Sequence, residues 1–123
     1  SDSGIDLLMG VGGAPEGVIT AAAIKCLGGD FQGQLIFRNE EEKDRARKMG
    51  IQDLTRSYSR DELAAGHVMF CATGVTDGPL LKGVRFYSNK KASTHSIVMR
   101  SVSGTIRRIE AEHDFYIKPS YDF

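Results

Sequence analysis

A glycine-rich segment near the amino end is the part of the sequence whose residue types are best suited to chemistry. It reads Met9-Gly10-Val11-Gly12-Gly13-Ala14-Pro15-Glu16-Gly17 and connects a short apolar run to a predicted helix. Glycines allow a ligand to approach the backbone closely, and the free N–H groups at the start of a helix attract anions. The segment therefore predicts a binding site for a phosphate or another anion.

Two common phosphate-binding motifs are excluded by single residues of this segment. A dinucleotide-binding fingerprint requires a third glycine where the sequence has Pro15. A P-loop requires Lys and then Ser or Thr after Gly17, where the sequence has Val18 and Ile19. The segment is therefore neither a Rossmann fingerprint nor a Walker motif.

Glu16 admits two interpretations. A carboxylate at the open end of a strand–helix junction can hold a divalent metal, which in turn holds a phosphate. The same carboxylate in the first helical turn complements the helix dipole, and spacing alone favours this simpler role. A metal site also needs several oxygen ligands, and only the folding of the chain could bring Asp6 or Asp77 close to Glu16.

Other residues of chemical interest carry weaker signals. His67, His95 and His113 are scattered without the spacing of metal ligands, so structural roles are expected for all three. Among them, His95 is the most suggestive because it lies in a polar stretch that enters a predicted strand. Asp77 follows a predicted strand within a glycine-flanked loop, where α/β folds often place functional residues, but an Asx-turn would use the same residue and is favoured.

The composition excludes several classes of protein. The 123 residues contain sixteen Lys plus Arg against sixteen Asp plus Glu, with 41% hydrophobic residues. The absence of a basic excess argues against a general nucleic-acid binder, and no apolar run approaches the ~20 residues that cross a bilayer. Cys26 and Cys71 lie in apolar stretches, so free core thiols in a reducing cytoplasm are expected; a disulfide would require Cα atoms within ~7 Å.

The periodicity and the turn signals predict three helices and six strands. The helices are expected at 18–27, at 40–49 and at 60–65. The second follows an Asn39–Glu42 capping box, and its acidic-to-basic charge order is typical of a solvated surface helix. The first is apolar nearly all round, which predicts that it is largely buried. Strands are expected at 5–9, 34–38, 67–72, 84–87, 94–100 and 105–112.

The alternation of these elements predicts the fold class. Strands alternating with helices indicate an α/β domain with a mixed, mostly parallel sheet flanked by helices. The last two strands flank a tight turn at Ser103-Gly104 and predict a carboxy-terminal β-hairpin. Residues 1–123 are interpreted as one domain, and because the chain enters an apolar run almost at once, we expect a piece of a longer protein.

Several motifs together resemble a known enzyme family. They are Ile5-Asp6-Leu7-Leu8-Met9-Gly10, Gly12-Gly13-Ala14-Pro15-Glu16-Gly17-Val18, Cys26-Leu27-Gly28-Gly29, Ala72-Thr73-Gly74-Val75-Thr76-Asp77-Gly78, Leu81-Lys82-Gly83-Val84 and Thr94-His95-Ser96-Ile97-Val98-Met99-Arg100-Ser101. In this order they resemble the second half of class II (GlpX-type) fructose-1,6-bisphosphatases, and most of all the bifunctional cyanobacterial branch that also acts on sedoheptulose-1,7-bisphosphate. One departure is Lys91, which stands where the pattern has glycine.

The resemblance implies a metal-dependent sugar bisphosphatase with a layered sandwich fold like that of the lithium-sensitive phosphatases, usually a homotetramer. It implies that Glu16 is a ligand of a divalent metal, manganese or magnesium, and that Gly13 contacts the substrate. The remaining acidic ligands and most sugar-binding residues would lie in the amino-terminal part of the same enzyme. The chain alone is therefore expected to be inactive.

Two other classes of function remain open on the sequence. A stand-alone module that binds sugar phosphates or nucleotides would use the glycine-rich segment without catalysis, and ligand would raise its melting temperature. A structural or assembly domain would show no response to ligand and would self-associate through an apolar face.

Overall fold

The computed structural model describes Gly4 and residues 6–118. In chain order, its elements are α1 (Ala14–Leu27), β1 (Gln32–Gln34), α2 (Glu40–Lys48), β2 (Ser57–Ser59), α3 (Arg60–Leu63), β3 (Met69–Thr73), β4 (Arg85–Tyr87), β5 (Lys91–Arg100) and β6 (Thr105–Asp114). No helix in this described part is long and apolar enough to cross a membrane.

The strands form two antiparallel sheets. β1 pairs with β2, and a second sheet of four strands is built around β5. Along one edge of β5 lie β3, which pairs with its second half, and β4, which pairs with its start. Along the other edge β6 pairs with the whole of β5, from Lys91 opposite Asp114 to Arg100 opposite Thr105. The predicted carboxy-terminal hairpin is therefore confirmed.

The three helices lie where local signals predict, although α1 begins at Ala14, before the predicted 18–27, and α3 ends at Leu63, short of the predicted 60–65. α1 has Pro15 in its first turn and ends at Gly28, whose φ of 77° is the left-handed conformation that glycine adopts readily. Asn39 caps α2 by accepting a hydrogen bond from the Glu42 amide. The Glu42 carboxylate, however, accepts from the amide of Arg38 instead of closing the predicted capping box.

The charges of α2 satisfy one another along the helix surface. Its ion pairs are Lys43–Glu40, Arg45–Glu41 and Arg47–Asp44, and Arg38 pairs with Glu42 from just outside the helix. Such i, i+3 and i, i+4 pairs are the pattern of a solvated helix. The prediction of a solvated surface helix is confirmed.

The hydrophobic core lies between α1 and one face of the four-stranded sheet. Cys26 of α1 packs with Ile97 and Met99 of β5, and partly buried apolar residues surround them: Ala23, Val68, Phe70, Ala72 and Leu81. Only Ala21 and Cys26 of α1 are buried, and Val18, Ile19 and Leu27 are exposed. The prediction that α1 is largely buried is wrong for the described structure, since the sheet covers only one of its sides.

The prediction of a mostly parallel sheet is also wrong, because every strand pairing in the described part of the chain is antiparallel. A strand–helix–strand rhythm normally indicates a crossover that returns to the same sheet. Here β2 pairs with the short β1, whereas β3 pairs with β5, which follows it. The alternation along the sequence therefore does not correspond to neighbours in one sheet.

Two of the predicted strands differ from the structure. Residues 6–10 form no regular element, and Leu8 is 87% exposed, so the buried strand expected at 5–9 is wrong over these residues; Ile5 lies outside the described residues. The strand expected at 34–38 is displaced to Gln32–Gln34. Beyond it the chain stays unpaired, with Ile36 67% exposed.

Candidate functional site

The glycine-rich segment leads directly into the first turn of α1. Gly13 is the N-cap residue, with φ −65° and ψ 152°, and no side chain caps the helix start. The Gly17 amide donates to the Gly13 carbonyl at 3.0 Å and closes the first turn. The earlier N–H groups of the turn therefore have no side-chain acceptor at the cap, which leaves positive potential at this end of α1.

The Glu16 carboxylate folds back over the Gly13 backbone. A Cβ atom placed on Gly13 would lie 3.1 Å from the carboxyl carbon of Glu16 and closer still to one of its oxygens. The φ of Gly13 is one that any residue adopts, and a side chain there would displace the Glu16 carboxylate from its present position. The structure thus brings together the two residues that the sequence selects, Gly13 and Glu16, and leaves the carboxylate exposed at the helix start.

The residues that precede this turn have open space around them. A Cβ atom on Gly10 or on Gly12 would meet no described atom within 4 Å, and Val11 between them is exposed. The backbone here is accessible to a ligand or to another part of a larger protein.

The other acidic residues considered as partners of Glu16 form no cluster of three or more metal ligands with it in the described structure. Asp77 accepts a hydrogen bond from the Gly83 amide at 2.9 Å and lies 3.4 Å from a guanidinium nitrogen of Arg85. Its role is to hold the β3–β4 loop together, as the structural interpretation predicts, although through Gly83 and not through an Asx-turn. Asp6 is exposed, and residues 4 and 6–118 contain no group of three or more His, Cys, Asp or Glu that could hold a metal ion.

The three histidines are separated on the fold. His67 is exposed before β3, and His95 on β5 lies 3.8 Å from the Glu110 carboxylate. His113 on β6 interacts through Nε2 with the Thr94 hydroxyl at 2.8 Å. They do not converge, which agrees with the structural roles expected for them.

The cysteines are free thiols in different surroundings. Cys26 is buried in the core, with its sulfur 3.8 Å from the Val68 carbonyl oxygen, whereas Cys71 on β3 is exposed. The prediction of free thiols is confirmed, but the expectation that both belong to the core is wrong for Cys71. In β3 the residues alternate between the two faces of the sheet, and Cys71 lies on the face opposite to α1.

A cluster that the sequence did not single out joins the end of α1 to α3. The ammonium of Lys25 donates to the Ala64 carbonyl and lies 2.9 Å from Asp61, and Arg60 contacts the other oxygen of Asp61 at 3.0 Å. Arg60 and Lys25 hold the pKa of Asp61 below its ordinary value. The two basic residues line an open groove of about 470 Å³. Because Asp61 forms ion pairs with both basic side chains, the cluster connects α1 to α3. No local sequence signal links positions 25 and 61.

The donor set can be compared with the requirements of a divalent metal. Magnesium and manganese take about six oxygen ligands, and a carboxylate such as that of Glu16 is suited to one or two of these positions. The described residues contain no group of three or more His, Cys, Asp or Glu that would fill the remaining positions. The chain therefore fits one ligand position of such a site and not the whole site.

Comparison with known proteins assigns the family. The family of bacterial fructose-1,6-bisphosphatases encoded by glpX matches residues 1–113. The chain belongs to this family. The resemblance carried by the glycine-rich segment and the later motifs is thereby confirmed.

Three curated members of the fructose-1,6-bisphosphatase family show how much of such a protein the chain represents. Proteins named D-fructose 1,6-bisphosphatase class 2/sedoheptulose 1,7-bisphosphatase from Trichodesmium erythraeum, a Synechococcus species and Crocosphaera subtropica are 45%, 43% and 47% identical to it. The alignments cover 90%, 90% and 89% of this chain but only 36%, 35% and 35% of the relatives. The chain thus spans about a third of the length of these relatives.

Proposed function

We propose that the chain is the carboxy-terminal part of a metal-dependent sugar bisphosphatase. Its reaction would be hydrolysis of the 1-phosphate of fructose 1,6-bisphosphate, with sedoheptulose 1,7-bisphosphate as a second substrate. Family membership and the names of the relatives support the reaction class. The observation that carries the site is the Glu16 carboxylate, folded over the Gly13 backbone at an uncapped helix start.

In this proposal Glu16, Gly13 and the start of α1 each have a separate task. Glu16 supplies one carboxylate ligand to manganese or magnesium. When bound, such an ion polarises a phosphoryl oxygen and lowers the pKa of a water. Gly13, which has no side chain, lets the substrate approach the backbone and leaves the Glu16 carboxylate in its position. The start of α1 adds positive potential towards the phosphate.

The remaining parts of the enzyme are proposed to lie outside this chain. Phosphoryl transfer to water needs several carboxylates and stabilisation of the leaving oxygen, which one glutamate does not supply. We therefore propose that the amino-terminal part of the enzyme provides the other ligands and that the isolated chain is inactive. The whole enzyme is proposed to be a cytoplasmic homotetramer with a layered sandwich fold.

A chimera tests this function directly. The chain replaces the matching segment of the Trichodesmium relative, and phosphate release from fructose 1,6-bisphosphate is measured over a series of Mn²⁺ concentrations. Loss of a ligand in Glu16→Gln is expected to raise the Mn²⁺ concentration for half-maximal activity by about tenfold or more. Glu41→Gln, which removes an exposed carboxylate of α2, serves as the matched control.

The outcomes separate the three classes of function. An active chimera in which Glu16→Gln leaves the Mn²⁺ dependence unchanged would contradict the ligand role of Glu16. A rise in the melting temperature of the isolated chain with sugar phosphate but no metal would favour the stand-alone binding module instead. No response to sugar phosphate or metal, in chain or chimera, would favour a structural domain.

A further inference from the structure

The strand β6 has one edge without a partner in the described structure. It pairs with β5 along all ten residues, and no other described strand lies along its second edge. The pairing runs without a bulge from Thr105 to Asp114. β6 therefore presents a long and regular row of backbone N–H and C=O groups.

Natural sheets usually protect such an edge. Short strands, charged side chains (lysine above all), prolines and bulges are the common means. β6 reads Thr-Ile-Arg-Arg-Ile-Glu-Ala-Glu-His-Asp and has neither proline nor lysine. Most of its side chains are exposed, including Arg108, Ile109 and Glu110. The arginine, glutamate and aspartate side chains are thus the protection that this long, unbulged edge has, and a strand of complementary charge would neutralise them.

The order of charges makes β6 complementary to itself. Consider two copies of β6 that pair antiparallel about a two-fold axis at Ile109, so that equivalent faces of the two sheets lie on the same side. Arg108 of each copy then stands opposite Glu110 of the other. Opposite charges directly across a strand pair stabilise it. Within the described residues Arg108 forms no ion pair, and Glu110, whose side chain is 72% exposed, has only His95 at 3.8 Å.

The neighbouring registers are less favourable. A slip of two residues in one direction places Arg108 opposite Arg108 of the second copy. A slip in the other direction pairs Arg108 with Glu112 but places Glu110 opposite its own equivalent. Like charges directly opposite each other destabilise a strand pair. A slip of one residue sets residues of opposite faces against each other and breaks the continuity of the faces. Among these registers, only the one centred on Ile109 pairs opposite charges, keeps the faces continuous and sets no like charges opposite each other.

We infer that β6 is the edge along which two copies of this chain pair, in the register that sets Ile109 against Ile109 of the second copy. The two four-stranded sheets then form one continuous antiparallel sheet of eight strands. Ile109, 45% exposed in one copy, becomes covered at the axis. This inference names one interface of the homo-oligomer that the proposed function includes, and its test is independent of the proposed site, since β6 contains neither Gly13 nor Glu16.

Charge exchange in the full chain provides the first test. The dissociation constant of the dimer is measured by sedimentation over a concentration series. Arg108→Glu and Glu110→Arg each create two like-charged pairs and are expected to raise this constant about tenfold or more. The double variant Arg108→Glu/Glu110→Arg restores opposite charges and is expected to return to within about threefold of the unmodified chain.

The matched control is Arg107→Glu, which makes the same change of charge on the adjacent residue. In the inferred register Arg107 stands opposite Ala111, so the expected change in the dissociation constant is below about threefold. Circular dichroism and thermal melts confirm that each variant is folded. A chain that is monomeric at every concentration would overturn the inference and leave β6 for a strand from outside this chain. A double variant as weak as the single ones would overturn it too.

Cross-linking tests the register independently. In a Cys71→Ser background, Ile109→Cys places two thiols across the axis with Cα atoms about 5 Å apart, within the range of a disulfide. Ala111→Cys is the control, because its two copies would be about 13 Å apart along the strands. Mild oxidation should link the first variant at least about tenfold faster. Equal rates, or a faster reaction of Ala111→Cys, would overturn the register.

Discussion

The glycine-rich segment and the β3–β4 loop both contain closely spaced glycines, but they use them in opposite ways. In the loop, a Cβ atom on Gly83 would lie 2.7 Å from the Thr76 backbone, and one on Gly74 would collide with the backbone of Lys82. In the amino-terminal segment, Gly10 and Gly12 have no described atom near them. The loop glycines are therefore required by the packing of this chain itself. Gly10 and Gly12 of the segment, by contrast, are not required by any contact among the described residues.

The largest expected contrast compares a methionine of the core with one of the segment. Met99 is 1% exposed beside Ile97, so Met99→Ala should lower the free energy of unfolding by about 2–5 kcal/mol. Met9 is exposed, and Met9→Ala should change it by less than about 0.5 kcal/mol. Urea unfolding measures both. A similar loss for Met9 would show that the segment packs on the domain.

The next contrast applies one substitution to both regions. Gly83→Ala forces the added methyl group against the Thr76 backbone, which should cost about 1–3 kcal/mol of unfolding free energy. Gly12→Ala has open space and should stay within about 0.5 kcal/mol of the unmodified chain. Urea unfolding curves with the same m-value should show a lower midpoint for Gly83→Ala than for Gly12→Ala. Equal midpoints would contradict the close contact between position 83 and the Thr76 backbone.

An aspartate pair gives a smaller effect. Asp77→Ala leaves the Gly83 amide without its acceptor and should cost about 1–2 kcal/mol, whereas Asp77→Asn, which keeps an acceptor oxygen, should cost less. Asp6→Ala in the exposed segment is the control and should be nearly neutral. Thermal melts of the three variants measure the order of their stabilities. A neutral Asp77→Ala would show that the hydrogen bond from Gly83 to Asp77 does not stabilise this loop.

The smallest effect concerns acid sensitivity at the contact between α1 and α3. The pKa of Asp61 is lowered in the folded chain by Arg60 and then by Lys25. A lowered carboxyl pKa contributes stability above the unfolded pKa, and this contribution disappears as the pH falls through the folded value. The melting temperature of Asp61→Asn should therefore fall less than that of the unmodified chain below about pH 4. Asp44→Asn, on exposed α2, is the matched control. The same decrease of melting temperature with falling pH in Asp61→Asn and in the unmodified chain would contradict the role of Asp61.

The parts of the fold that were predicted correctly depend on short-range signals. Pro15 and Gly28 mark α1, Asn39 starts α2, and the Ser103-Gly104 turn forces the hairpin of β5 and β6. The pairing of β3 with β5 joins residues more than twenty positions apart, and no local pattern chooses between it and a parallel crossover.

The same division applies to the candidate site. Gly13 and Glu16 are three residues apart at a helix start, so their proximity follows from helical geometry. The engagement of Asp77 by Gly83 and of Lys25 by Asp61 depends on the tertiary fold, which the sequence did not predict. The apolar run at 5–9 had the composition of a buried strand, and composition does not say which surface covers it.

Ser59 is at once the last residue of β2 and the N-cap of α3, with both halves of its capping box to Glu62 formed. A hinge needs residues whose dihedral angles are free to change, and no residue lies between this strand and this helix. The two-stranded sheet and α3 should therefore move together as one rigid unit. The hydrogen bond from Lys25 to the Ala64 carbonyl links this unit to the carboxyl end of α1, whose opposite end carries Glu16.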